Sequence, residues 1–417
     1  GFPVFDVDSA GNPTDVIVGY SRNCSADTLV MYLYKAENGA FKPYVPGDPR
    51  PADMAQTTTM DGLTVDYVVR WERGTINRFL YSIAMLAPFD EGPGDLDTSA
   101  WNGKVIYHFQ GGVAIGHYQG SPSGSRMLYD TGLSRGYAVL YSTGNKTGTH
   151  YNLVLGGETA LMVKERFVEL YDVPVYMVSV GGSGGGIQQY IYGQNHKGLL
   201  DAAIPQYSYP DMVTQAVHVG DCELLEFYMD VLDATNPRWQ TWSNRTLIEG
   251  LNASDTVYNP YTQSVGASEC VMGWRGLAPL ALNPLYGAAP GMELYEPLSA
   301  VAAIHWTHFD DLRNFLGVGA GGYAQNYWDN VGVQYGLVPL REGRLDPAMF
   351  VDLNARIGGW KAPGDMQPER FWRASGAPSP RNGTAPWSQQ NATAADGPVP
   401  APRTRGDPNA ARAAALS

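Results

Sequence analysis

Apolar positions along the chain fall into two textures that meet near residue 209. In the first, short β-prone runs alternate with helical stretches. Residues 1–60 are turn-rich, with one strand expected over 28–34. Residues 64–72 (TVDYVVRWE) and 79–86 read as two strands with a short Gly-containing connection. VIYHF at 105–109 is an unbroken β-prone run that stops at Gln110-Gly111-Gly112, and YAVLYS at 137–142 is another. Residues 157–171 place Ala160, Leu161, Val163, Phe167 and Leu170 at helical spacing, with Lys164, Glu165 and Glu169 elsewhere on the wheel. PVYMVSV at 174–180 is a buried strand running into GGSGGG, after which IQQYIYGQNH continues as a helix, and DAAIPQYS at 201–208 is the next strand. Strand–helix–strand–turn–helix–strand is the alternation of a parallel sheet covered on both faces, so the fold class expected is α/β.

The second texture has scattered aromatics, Asn and Pro, with helical stretches at 221–233 and 308–316 and no comparable apolar strand runs. The organisation expected is an N-terminal extension over 1–60, an α/β core over 61–208, a mainly helical cap or insertion over 209–361, and a tail over 362–417. The Pro-, Ala- and Arg-rich composition of that tail predicts a linker or disordered segment.

Charged residues are only 17% of the 417, and 28 Lys plus Arg against 41 Asp plus Glu leave a formal charge of −13. A phosphate backbone attracts surplus basic charge, so a nucleic-acid partner is not expected. No apolar run approaches the roughly 18 residues of a membrane span. The chain opens Gly1-Phe2-Pro3 without an initiator Met or an apolar leader, which predicts a processed product or a fragment. Six Asn-x-Ser/Thr sequons (Asn23, Asn145, Asn244, Asn252, Asn382, Asn391) point to a secreted or periplasmic protein. Of Cys24, Cys222 and Cys270, the latter two would close a loop of about 50 residues, worth about 4 kcal/mol by chain entropy; three unpaired thiols are the alternative.

The chemistry concentrates at Gly181-Gly182-Ser183-Gly184-Gly185, a G-x-S-x-G between a strand and a helix. A nucleophilic Ser at such a corner needs a sharp turn that lifts its side chain clear of the sheet, and small neighbours let strand and helix close together. The helix N-terminus offers unpaired N–H groups and partial positive charge to a developing oxyanion. Acyl transfer needs a further N–H from the loop after an earlier strand, and Gln110-Gly111-Gly112-Val113 stands in that place. A Gly-rich packing turn is the bland reading of both.

At these residues the chain resembles the α/β-hydrolase superfamily. More narrowly it resembles a large bacterial hydrolase-like family of unknown function, distantly similar to tannases and feruloyl esterases. TVDYVVRWERGTINRFLYSIAML, WNGKVIYHFQGG, ETALMVKERFVELY, GGSGGGIQQYIYGQN and DNVGVQYGL with DLNARIGG carry the resemblance, over residues 20–360. It implies a mostly parallel α/β-hydrolase sheet with a helical cap, Ser183 as nucleophile, and the Gly184 N–H and the Gly111–Gly112 loop as oxyanion donors. It also implies substrate selection by the cap and a small-molecule or oligomeric ester substrate. Tannases bridge a Cys beside the Ser to one beside the His; with Gly182 and Gly184 flanking Ser183, that device is absent.

The base is harder to place. Superfamily order is Ser, acid, His, and four His follow Ser183. His196 lies at the far end of the helix after the Ser, roughly 20 Å away. His218 stands beside Asp211 and Asp221, and His305 and His308 sit in HWTHFDD. Either the cap supplies an unusual base, with His308 first, or the closing strands with the acid and His lie beyond Ser417. His305 and His308 also fit a plain helix start, with Thr307 as cap. The expected function is a serine hydrolase forming an acyl-enzyme on Ser183. A non-catalytic binding protein of the same fold, and an incomplete catalytic fragment, are the alternatives. Gly317-x-Gly319-x-x-Gly322 follows a helix rather than a strand, Asp6-x-Asp8 lacks a matching Glu, and no HExxH or CxxC occurs, so neither cofactor nor metal is expected.

Overall fold

The computed structural model describes residues 3–7, 13–20, 24–112, 119–210, 212–250, 254–259, 264–267, 282–285, 308–367, 389–392 and 399–416. The chain divides into two compact units, Gly1–Pro210 and Asp211–Ser417.

The first unit opens with an antiparallel hairpin, β1 (Pro3–Val7) and β2 (Pro13–Tyr20). The main strands are β3 (Leu29–Lys35), β4 (Phe41–Tyr44), β7 (Val68–Ile76), β8 (Phe79–Leu86), β9 (Lys104–Gln110), β10 (Ala138–Lys146), β11 (Tyr176–Gly182) and β12 (Ala202–Gln206). A small pair, β5 (Gln56–Thr58) and β6 (Thr64–Asp66), stands apart. The eight main strands form one sheet in the order β12-β11-β9-β10-β8-β7-β3-β4. From β12 to β10 the pairing is parallel; from β10 to β4 it is antiparallel.

The sheet is therefore mixed, where alternation alone suggested a parallel one. The reason lies at Asn77-Arg78, the two residues between β7 and β8. Both have positive φ, 50° and 66°, the conformation of a tight hairpin turn whose twist matches its strands. Gly74, the nearby glycine, lies inside β7 and is not the turn. The sheet also takes in β3 and β4 from within the first 60 residues.

One face is covered by α3 (Leu153–Leu170) and α4 (Gly184–Asn195). There Tyr81, Val105, Tyr107 and Leu140 pack with Ala160, Val163, Phe167 and Tyr192. Two short helices, α1 (Gly124–Met127) and α2 (Asp130–Leu133), lie on the other face, with Met127 and Leu133 against Trp71, Val139 and Tyr141. Leu161 was expected in the α3 stripe but is 39% exposed. Glu72 of β7, only 1% exposed, pairs with Arg166 of α3 at 3.0 Å and with Arg70 at 3.3 Å, and accepts the Tyr81 hydroxyl at 2.7 Å. Its charge is thus paired and hydrogen-bonded, which is the condition for burying it.

The second unit contains α5 (Met212–Phe227), α6 (Trp242–Glu249), α7 (His308–Leu316), α8 (Leu337–Arg341), α9 (Pro347–Arg356), α10 (Gln389–Ala392) and α11 (Pro408–Leu416). It also holds an antiparallel hairpin, β13 (Ser254–Asn259) with β14 (Ser264–Ala267), where the sequence showed no strand. Buried Arg245 bridges Glu226 and Asp230 at 2.5 and 2.6 Å. Residues 408–416 correct the expectation of a featureless tail. Their alanines favour helix, Asp407 caps them by accepting the N–H groups of Asn409 and Ala410, and Ala410 and Ala414 pack on Phe309, Leu312 and Leu316 of α7.

Cys222 is disulfide-bonded and Cys24 is free; Cys270 lies outside the described residues. Two sequons lose their force, because Asn145 and Asn391 are 0% and 1% exposed and hydrogen-bonded, so neither is open to a glycan. Asn244 is half-buried, and Asn23, Asn252 and Asn382 lie outside the described residues. Among the described residues no helix is long and apolar enough to cross a membrane.

Candidate active site

β9 and β11 are adjacent parallel strands, and their carboxyl ends deliver Gly111 and Ser183 to the same edge of the sheet. That edge is where open α/β sheets hold their ligands. Ser183 has φ 57° and ψ −125°, a conformation that costs a non-glycine residue about 1–3 kcal/mol. It turns the chain from β11 into α4 in one residue. The Ser183 N–H donates to the Gln206 carbonyl at 3.2 Å, and its carbonyl accepts from Gly186 and Ile187 at 2.8 and 3.1 Å. Its hydroxyl makes no capping bond to α4, and the residue is half-buried. The backbone is held while the side chain stays unengaged by the helix.

The surrounding glycines are there for space. A Cβ on Gly181 or Gly185 would lie 2.5 or 2.7 Å from the Phe109 carbonyl oxygen, one on Gly182 would enter the Tyr207 ring, and one on Gly184 would strike Thr147. A Cβ on Gly111 would stand 2.8 Å from Ser183 Cβ and 2.9 Å from the Gly184 nitrogen. Gly111 backbone thus lies directly against the serine corner. As the first residue of α4, Gly184 has an N–H with no acceptor within the helix. Gly112 follows at φ 107°, a region that favours glycine, and approaches Gly148 so closely that a Cβ would come within 2.8 Å of its Cα.

Buried side chains fix this loop. Gln188 donates to the carbonyls of Gln110 and Gly184 at 3.1 and 3.2 Å; Gln189 donates to those of Gly181 and Gly185 at 3.0 and 2.9 Å. Thr147 Oγ1 donates to the Gly112 carbonyl at 2.6 Å, and the Gly148 N–H to the Gly111 carbonyl at 3.1 Å. Sequence reading missed Gln188, Gln189, Thr147 and Tyr207. A pair of amides one turn into a helix after a G-x-S-x-G was a usable signal; Thr147 and Tyr207 had none, because only the fold brings them near. Tyr207 is 72% exposed with φ 30°, a second strained residue beside the serine.

The histidines are mostly committed elsewhere. His108 is fully buried in β9 with its ring 4.4 Å from that of Tyr129; burial, with Arg126 nearby, pushes it down to about 3. His150 bonds the Gly144 carbonyl through Nε2 at 2.8 Å and stacks on Phe79, and burial pushes it down to about 4. His196 terminates α4 at the end away from Ser183, as the spacing predicted. In the second unit His218 is half-buried in α5. Asp221, on the same helix, accepts the Tyr335 hydroxyl at 2.7 Å and is pushed up to about 6 by burial. His308 opens α7 and only its backbone is described, while His117, His305, Asp211 and Val113 lie outside the described residues. Among the described residues no hydrogen bond joins Ser183 to a histidine.

Comparison with solved structures finds similarity to an esterase from Aspergillus oryzae at 15% identity, covering 50% of this chain and 38% of that one, with a TM-score of 0.27. It also finds tannin acyl hydrolase from Aspergillus niger at 12% identity, 53% and 39% coverage and a TM-score of 0.28. A post-proline cleaving enzyme from Rickettsia typhi matches at 10% identity, 52% and 27% coverage and a TM-score of 0.23. The chain spans less than two-fifths of the length of each of these proteins. No curated protein sequence matches it. The family description "Tannase-like family of unknown function (DUF6351)" matches residues 11–416. The chain, an α/β protein with a strained serine at a strand-to-helix corner, belongs to that tannase-like family.

Proposed function

We propose that the protein is a serine hydrolase of carboxylic esters, acting through an acyl-enzyme on Ser183. The observation that carries this is the backbone of Ser183 at φ 57°, set against Gly111 and the first amide of α4. Strain at a serine between strand and helix, with close-packed glycines on both sides, is the backbone that a nucleophile corner requires. In the reaction Ser183 Oγ attacks the ester carbonyl carbon, and the carbonyl π pair moves to oxygen. The amides of Gly184 and of the Gly111–Gly112 loop receive that charge. A general base takes the Oγ proton and passes it to the departing alkoxide as the intermediate collapses; the same base then takes a proton from the attacking water and returns it to Ser183 Oγ as the acid leaves. Fixed donors aimed at a developing oxyanion are worth about 100- to 1000-fold each.

Membership of a tannase-like family supports an ester substrate. A secreted or periplasmic location is part of the proposal and is supported by the disulfide at Cys222, a bond that persists in oxidising compartments. Labelling with a fluorophosphonate probe tests the nucleophile. A single adduct on the peptide carrying Ser183, abolished in Ser183→Ala, is expected. Labelling at another residue, or equal labelling of the variant, rejects the proposal.

A further inference from the structure

The chain has seven lysines, and six of them are explained. Lys35 pairs with Asp130, Lys42 with Asp53 at 2.6 Å, and Lys164 donates to the carbonyls of Gly198 and Leu199 at 2.7 and 3.1 Å. Lys104 lies over the Tyr176 ring, Lys361 is engaged, and Lys197 is exposed to water. Lys146 is different. It is half-buried, and among the described residues its ammonium has neither a carboxylate, a carbonyl nor an aromatic face as partner. Its stem is partly covered while the ammonium keeps contact with solvent, so the charge is free to meet an anionic ligand.

Its location gives the ligand. Lys146 ends β10 paired in register with Gln110, the last residue of β9. The following residues hold the Gly111–Gly112 loop, through Thr147 Oγ1 to the Gly112 carbonyl and the Gly148 N–H to the Gly111 carbonyl. The position that a Gly148 Cβ would take lies 3.3 Å from Lys146 Cε, 3.0 Å from the Gly111 oxygen and 3.5 Å from Gly112 Cα. The lysine side chain therefore runs alongside the Gly111–Gly112 loop, whose Gly111 backbone lies against the serine corner. No acidic side chain among the described residues pairs with it.

The geometry points to Lys146 as a substrate-recognition residue that selects esters carrying a carboxylate. This rests on the Ser183 reading for the place of the ester, and concerns a group that the chemistry at the serine does not require. The ammonium forms a charge-assisted hydrogen bond with the carboxylate, and no covalent step involves it. Such bonds in partly desolvated sites are worth about tenfold or more in affinity. The carboxylate sits on either the acyl or the alcohol side, and the two are separable by experiment.

Binding to the full chain carrying Ser183→Ala, which needs no turnover, is the test. Calorimetric titration compares monoethyl glutarate with diethyl glutarate for the acyl side, and 4-butyryloxybenzoate with 4-cresyl butyrate for the alcohol side. The expected result is that in one of the two pairs the anionic ester binds about tenfold more tightly. Lys146→Met abolishes that preference, Lys146→Arg retains it, and high salt weakens it. Equal binding of both members of each pair, or a preference that survives in Lys146→Met, overturns the inference. Fluorophosphonate labelling of Lys146→Met with Ser183 intact separates the two claims: adduct at Ser183 without anion preference sinks only the lysine assignment, whereas adduct elsewhere sinks the nucleophile.

Discussion

Gly111→Ala is expected to lower kcat/KM for simple esters by at least about 100-fold while the protein remains folded. The methyl group would stand 2.8 Å from Ser183 Cβ and the Gly182 oxygen and 2.9 Å from the Gly184 nitrogen, closer than such contacts are found. Relief requires the loop to retreat from the serine corner, carrying its amide away from the oxyanion position. Losing one such donor costs about 100- to 1000-fold. The companion variant is Gly193→Ala on the same helix α4, where an added Cβ meets nothing within 4 Å. It is expected to leave activity unchanged and to gain about 0.5–1 kcal/mol from helix propensity. Steady-state kinetics with thermal melts checks both. An active Gly111→Ala enzyme would mean that the glycine serves packing alone.

Acid is expected to destabilise the first unit well above the pH at which its carboxylates titrate. His108 and His150 are held neutral by burial, at about 3 and about 4, against an ordinary value near 6.5. A depressed histidine is protonated earlier in the unfolded chain than in the folded one. Stability is therefore full above about pH 6.5 and falls as pH drops, until each folded value is reached. Between pH 7 and pH 5 each ring costs about 2 kcal/mol, and two together are a large fraction of a domain's stability. Urea midpoints measured across that range should fall steeply. His108→Phe, which keeps a ring beside Tyr129, should flatten the slope by about half. A midpoint independent of pH from 7 to 5 would show that neither ring is held neutral.

How much the sequence disclosed depended on whether the signal was local. VIYHF, PVYMVSV and the 157–171 helix were legible because apolar period and β-branched runs are short-range. Ser183 and Gly111 were legible because a sharp corner and a close backbone approach demand particular residue types at particular spacings. The antiparallel half of the sheet was not, since nothing in β3 or β7 states its partner and Asn77-Arg78 is a weak turn signature. Asn145 illustrates the converse: its sequon suggested an open surface, but the side chain is buried between Tyr107 and the Gly156 carbonyl. The 408–416 helix was obscured by the prolines before it, although its alanines and Asp407 held the information. Lys146 carried no signal in sequence; its meaning comes from what fails to surround it.

The central claim is that Ser183 becomes covalently acylated during ester turnover. The most direct measurement is intact-protein and peptide mass spectrometry after rapid acid quench of the full chain with 4-nitrophenyl butyrate. The account predicts a butyryl increment confined to the peptide containing Ser183 and missing from Ser183→Ala. Turnover with no acylated species, or with the increment on a different residue, would contradict it.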